Sequence, residues 1–228
     1  GEPEVLVEHP FESRNVQVGG GFLLWNHVPL TTKESFIRIL DLASGERPGL
    51  TDPFTPLVSV KDYVLPFTLR GSEVFWFDTE TTALVQTPVA GGQSTSTPIA
   101  GLLEGARVDS LMVDGACIYW HAEAVVRGNG LAYHLGKLCD GMAEPTAAMA
   151  APATEAMAVR DGTLYGAGDN DPSSTAYVAR VHRWASPQFE PERLAAGLDF
   201  AEAIAVDEEN LYFLDGSFDE LRLHRIQR

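Results

Sequence analysis

An apolar and aromatic strand core recurs five times along this chain: Phe22 to Trp25 (FLLW), Val74 to Phe77 (VFWF), Cys117 to Trp120 (CIYW), Leu164 to Gly166 (LYG) and Leu211 to Phe213 (LYF). With Leu24, Phe75, Tyr119, Tyr165 and Tyr212 as equivalent positions, the spacings are 51, 44, 46 and 47 residues. A unit of that size cannot bury its apolar face alone, so neighbouring units must stack. Only strand signals lie between the cores, which makes each unit a four-stranded propeller blade and not a pair of helices.

The last copy is the clearest. Ala201 to Asp207 is strand A, Asn210 to Asp215 strand B and Glu220 to Ile226 strand C, and no fourth strand follows. The fourth unit reads EAMAVRD, TLYGAG, AYVARVHRW and ERLAAGL, and the third DSLMVDG, CIYWHA, LAYHLGK and TAAMA. The second reads VLPFTLR, EVFWFD, ALVQTPVAGG and STSTPIAG, and the first NVQVG, FLLWNH, SFIRILDLASGE and a D strand near Thr55 to Val60. Glu2 to His9 (EPEVLVEH) has the short alternating pattern of the missing D strand. The pattern predicts one all-β domain over residues 1–228, a five-bladed β-propeller with blades near 14–60, 61–100, 107–150, 154–198 and 201–228. Residues 2–9 are expected to complete the last blade and close the ring, which leaves only short outer edges. A sixth blade would need about 45 more residues.

Strand composition agrees. VFWF and FLLW are continuous apolar runs, as expected of strands covered on both faces. Gly-, Asp- and Asn-rich turns (VDG, RDG, GNG, LDG) separate them. The long first spacing points to an insertion near Leu50 to Pro56, rich in proline and threonine.

Charge narrows the function classes. Thirty-two acidic against 16 basic side chains give a net charge of −16. Nucleic-acid binding depends on Lys and Arg neutralising phosphates, and no basic cluster exists, so no nucleic-acid partner is expected. No apolar run approaches the ~20 residues that span a bilayer, so no membrane insertion is expected. The chain opens on GEPEV without a signal peptide. A monomer that works outside the cytoplasm (periplasmic, secreted or lipid-anchored) is the expectation, with its signal segment absent from this sequence. Cys117 begins one central strand and Cys139 follows the next, in a hairpin closed near Arg127 to Gly130. Both fall toward the same open end. A disulfide fits that geometry and an extracytoplasmic setting; two separate buried thiols are the alternative.

VDGACIYW (Val113 to Trp120) and QTPVAGG (Gln86 to Gly92) resemble the bacterial repeats related to the TolB-like and YWTD-type propellers. The resemblance spans all five units and implies a fold. Its tyrosines and tryptophans pack and its glycines turn, so no functional residue carries over.

In a propeller the D-to-A and B-to-C loops share one face, and ligands bind at the concave mouth there. Counting back from each core to the start of strand A gives Arg14, Leu65, Asp109, Glu155 and Glu202. Converging carboxylates repel one another, so they raise a pKa, capture a cation or take Arg14 as counter-ion. Oxygen ligands suit Ca2+; the alternative is that each acid is a solvated loop residue. The B–C loops add Asp78, Glu80, Glu123, Asp169, Asp171, Asp215 and Asp219, and His27 and His121 follow strand cores at the same end. The two histidines are either metal ligands or ordinary strand-end residues, and His134, His182 and His224 read as blade-face residues. DNDPSS (Asp169 to Ser174) begins like a calcium loop, but it lacks the sixth-position glycine and carries Arg180 at the twelfth position. No G-x-S-x-G, P-loop or H-E-x-x-H occurs.

Three functions remain. The leading one is a non-catalytic binding module whose acidic mouth holds a cation, a sugar or another small polar ligand, as five-bladed lectins show is possible. The second, by analogy with five-bladed arabinanase-like enzymes, is a glycoside hydrolase using Asp109, Glu155 and Glu202. The third is a protein–protein interaction scaffold.

Overall fold

The computed structural model describes residues 12–28, 34–44, 56–60, 66–99, 102, 106–126, 130–142, 150–151, 156–169, 179–185, 191–198, 201–217 and 220–228. The chain divides into two compact units, Gly1–Ile99 and Ala100–Arg228. Every described element is a strand, and no described helix is long and apolar enough to cross a membrane.

The first unit holds two antiparallel sheets. One runs β1 (Glu12–Gly19), β2 (Phe22–Val28), β3 (Ser35–Asp41) and β4 (Val58–Val60) in that order; the other runs β5 (Phe67–Arg70), β6 (Glu73–Asp78), β7 (Ala83–Pro88) and β8 (Thr95–Pro98). The second unit holds three. Its first contains β9 (Arg107–Asp114), β10 (Cys117–Val126), β11 (Gly130–Cys139) and β12 (Ala150–Ala151). Its second contains β13 (Ala156–Arg160), β14 (Thr163–Asp169), β15 (Ala179–Ala185) and β16 (Pro191–Leu198). Its third contains β17 (Ala201–Val206), β18 (Asn210–Ser217) and β19 (Glu220–Gln227), three strands among the described residues. Four of the sequence repeats thus form up-and-down sheets in the order A, B, C, D, and the fifth runs A, B, C among the described residues. The segment Glu2 to His9, expected as a closing strand, and most of the insertion near Leu50 to Pro56 lie outside the described residues.

Burial explains why the repeat core is apolar on both sides. Successive strand residues point to opposite faces, yet Val74 and Phe75 are both buried, as are Ile118, Tyr119 and Trp120. Four of the central strands (β2, β6, β10 and β14) are therefore covered on both faces, whereas β18 alternates, with Tyr212 only partly buried between Leu211 and Phe213. In the first unit Leu24, Ile37, Ile39, Phe67 and Val74 form one cluster. In the second, Tyr119 and Leu135 pack with Leu164 and Trp184, and Tyr165 packs with Leu211 and Phe213. Leading strands lie beside one another: β1 against β5, and β13 against both β9 and β17.

Polar ties reinforce this stacking. The Gln17 side-chain amide donates to the Phe67 carbonyl (2.7 Å) and accepts from the Leu69 N–H (3.2 Å), so one β1 side chain satisfies two backbone groups on or beside the strand next door. Asp114 accepts the Gly162 N–H at 2.6 Å, linking two hairpin turns. Arg228 donates to the Tyr165 hydroxyl (3.0 Å) and to Asp161 (2.9 Å). The Asp161–Gly162 turn has positive φ at both residues (51° and 71°), which matches the twist of a two-residue hairpin.

Cys117 and Cys139 stand directly opposite each other at one end of the β10–β11 ladder, and their sulfurs are joined. Gly136 stands opposite Trp120 on the same ladder, and a Cβ at Gly136 would come within 2.3 Å of the fully buried indole. Gly136→Ala is expected to lower stability by about 1–3 kcal/mol through overpacking. Urea denaturation measures it, and an unchanged midpoint would contradict the packing described.

Candidate functional site

The start of strand β9 is irregular, and that irregularity builds the site. Val108 pairs with Ala122 and Ser110 with His121, so Asp109 is an extra residue with no partner across the ladder. A bulge sets two residues against one and re-aims their side chains. The same device recurs in β17, where Ala201 pairs with Asp215 and Ala203 with Leu214, leaving Glu202 as the extra residue. In β1 the register slips between Arg14, paired with Asn26, and Gln17, paired with Leu24, with Asn15 at φ 52° inside the slip. Three of the five positions picked out by counting back from the repeat cores therefore sit on or beside a bulge.

Around Asp109 the chemistry is dense. Arg107 donates from Nε to Asp109 Oδ1 at 3.0 Å and from Nη2 to Glu123 Oε1 at 2.7 Å, so one guanidinium is shared by two carboxylates. His121 is 2% exposed, and its Nδ1 lies 3.8 Å from Asp109 Oδ2, an ion-pair distance too long for a hydrogen bond. The imidazole stacks on the Tyr133 ring at 5.6 Å with the planes 13° apart, which fixes its orientation. His121 Nε2 and Ser110 Oγ are both buried and have no hydrogen-bond partner among the described residues.

Burial governs the protonation of the pair. It pushes the Asp109 carboxyl up to about 6, with the charge of Glu123 adding to the rise and Arg107 pulling back. Burial likewise pulls His121 down to about 4, helped by nearby His134. Desolvation of the imidazole outweighs the adjacent carboxylate, whose charge Arg107 already offsets. At neutral pH the site therefore presents a neutral imidazole beside a carboxylate close to taking up a proton. No hydrogen bond to Asp109 fixes the tautomer, so Nε2 is a buried nitrogen that either accepts or donates.

Of the six residues expected to form a mouth, the structure brings Asp109 and His121 together. Glu202 lies on β17, while Arg14 and His27 lie on β1 and β2 of the other unit. Glu155, like Leu65, falls outside the described residues. Glu123 and Asp215, expected in loops, are strand residues instead, because β10 runs on to Val126 and β18 to Ser217. Asp215, opposite Ala201 beside the Glu202 bulge, is buried, with Oδ2 3.3 Å from His224 Nε2. Among the described residues no group of three or more His, Cys, Asp or Glu is placed to hold a metal ion. Arg107, Ser110 and Tyr133 were missed by the sequence reading. Tyr133 was accessible by pairing residues outward from the hairpin turn, which sets it opposite Glu123. Ser110 and Arg107 depend on the bulge, which has no sequence signal.

The two shifts oppose each other in their effect on stability. Asp109 titrates near 6 when folded against 3.8 when free, so its contribution is full below 3.8 and is lost as pH rises through 6. His121 titrates near 4 against 6.5, so its contribution is full above 6.5 and is lost as pH falls through 4. Asp109→Asn is expected to unmask the histidine: relative to wild type, stability should fall on acidification from pH 6.5 to 4, by up to about 1.4 kcal/mol per pH unit. His121→Gln should tilt the curve the other way. Urea denaturation across that range checks both, and parallel profiles for all three proteins would contradict the site.

No family model matches the chain, and no curated protein matches it. Solved structures do. The chain is similar to a structure described as "Crystal structure of Nidogen/Laminin Complex" (TM-score 0.58, 14% identity, over 90% of this chain and 71% of that one). It is similar to a puromycin-hydrolyzing peptidase of Mycobacterium tuberculosis (TM-score 0.66, 17% identity, 96% of this chain and 37% of that one). It is also similar to the β-propeller domain of the Trilobed protease from Pyrococcus furiosus, described as having an open velcro topology (TM-score 0.59, 9% identity, 94% and 68%). The chain thus spans under two fifths of the mycobacterial peptidase. At these identities the likeness is one of fold alone: an all-β chain of the β-propeller type.

Proposed function

We propose that this chain is a five-bladed β-propeller binding module, working outside the cytoplasm, that holds a cation or a small polar or sugar ligand where its leading strands begin. The observation that carries this reading is the Asp109–His121 pair: a half-buried carboxylate beside a fully buried imidazole whose Nε2 lacks a partner among the described residues. A buried polar atom without a partner calls for one, and a ligand hydroxyl or N–H supplies it. Glu202, on an identical bulge, would add a second carboxylate, and Glu155 a third. The Cys117–Cys139 link supports an oxidising compartment.

Ring closure by residues 2–9 belongs to the same proposal. The outer edge of β19 carries no partner strand among the described residues, and Leu221 and Leu223 on it are 61% and 70% exposed. The segment EPEVLVEH offers alternating apolar residues for them, and its glutamates suit the exposed Arg225. Deleting residues 2–9 is expected to lower the melting midpoint by several degrees. An unchanged midpoint would remove this closure and leave the Asp109 site standing.

A second reading, the glycoside hydrolase, draws on one observation: a carboxyl held near 6 suits a general acid. Thermal melts against calcium, EDTA and a panel of arabino- and xylo-oligosaccharides separate the two. A bound ligand must raise the midpoint, by about 2–4 °C for each kcal/mol in a chain of this size. The binding module predicts a shift with calcium or a sugar that Asp109→Asn abolishes, without product release. Oligosaccharide cleavage lost in Asp109→Asn would favour the enzyme, and no shift with any member of the panel would defeat the binding reading.

A further inference from the structure

The first unit contains a cavity unrelated to Asp109. It lies between β4 of one sheet and the far end of β6 of the next, with a volume of about 310 Å3, at the small end of the range for ligand pockets. Ser59 and Val60 line one side; Trp76, Phe77, Asp78 and Glu80 line the other.

Two of its walls are held in place. The Trp76 indole N–H donates to the Thr87 hydroxyl at 3.1 Å, and that hydroxyl pairs with the Ser94 hydroxyl at 2.8 Å. Thr87 is buried, so the ring cannot turn without breaking its bond to an enclosed hydroxyl. The Asp78 carboxylate accepts the Glu80 N–H on Oδ1 (3.0 Å) and the Thr81 hydroxyl on Oδ2 (2.6 Å), which pins it at the turn. Glu80 adds a second carboxylate from an exposed position. Among the described residues the lining contains no lysine, arginine or histidine.

That set selects by charge. An anion finds two carboxylates and no donor of positive charge. A hard inorganic cation wants six or more oxygen ligands, and Val60, Trp76 and Phe77 take up part of the lining. A small organic cation meets both kinds of residue in it: a tryptophan, the best of the aromatic partners for a cation, and two carboxylates. We propose that this cavity binds a small organic cation of the alkylammonium class, held by Trp76 and by Asp78 and Glu80. The site is separate from the one proposed at Asp109 and does not rest on it.

Isothermal titration of the whole chain with tetramethylammonium chloride tests this, with sodium chloride at matched ionic strength and glucose as controls. Saturable binding in the millimolar range is expected for tetramethylammonium only, weakening at higher salt. Trp76→Leu should weaken it about tenfold or more, Trp76→Phe less, and Glu80→Gln about two- to fivefold. Asp109→Asn should leave it unchanged. Because Trp76 also packs against the core, Glu80→Gln carries the test if the leucine variant does not fold. Absence of saturable binding, equal affinity in wild type and Glu80→Gln, or glucose binding in place of the cation would each overturn the proposal.

Discussion

Double coverage of the central strands is the constraint on which this structure rests. A four-stranded sheet buried on one face would alternate apolar and polar residues. The last sheet, with Tyr212 partly exposed between Leu211 and Phe213, does alternate; the other four do not at their cores, because Val74 and Phe75, or Tyr119 and Trp120, point to opposite sides and both are enclosed. Such a sheet is unstable alone, and its neighbours are part of its fold. The side-chain ties at the leading strands and turns follow from the same need. Gln17 and Asp114 each satisfy backbone groups of the adjoining sheet, so the stack is held by directional bonds as well as by apolar contact.

The bulges are where this regular scheme is broken, and they are where the chemistry gathers. In β9 the extra residue brings Asp109 and Ser110 to the side of the strand that faces His121. A regular ladder would alternate those two residues between faces. Arg107 then spans Asp109 and Glu123, and Tyr133 braces the imidazole. Burial acts on the acid and the base in opposite directions, so each is biased toward its uncharged form. A buried imidazole can stand beside a carboxylate on this sheet because it stays neutral there.

The architecture was legible because it is periodic. Five aromatic cores at near-constant spacing dictate five sheets, and the turn residues mark the strand ends. Counting back from Tyr119 and Tyr212 found Asp109 and Glu202, since a bulge displaces a side chain without moving its place in the count. What the count lacked was direction. It treated the acids as a set around a common mouth, whereas the described partners of Asp109 are local: Arg107 and His121 on its own hairpin. Strand length was the other blind spot. Glu123 and Asp215 look like loop acids because polar residues cluster there, yet the ladders continue past them. Trp76 was taken as packing alone, and only coordinates reveal that it also lines a hollow.

The Cys117–Cys139 link has a mechanical consequence. It staples the β10–β11 hairpin at the rung where β10 begins and β11 ends, whereas Glu123 and Tyr133, six rungs along, are held by the ladder, by the Arg107 ion pair and by the imidazole stack. Local opening of a strand pair starts where restraint is least. The noncovalent rungs therefore part before the covalent one, and separation of β10 from β11 cannot pass through Cys117 and Cys139 while their sulfurs are joined. The staple keeps the neighbouring Ile118–Leu138 rung in register even when the ladder beyond it is broken.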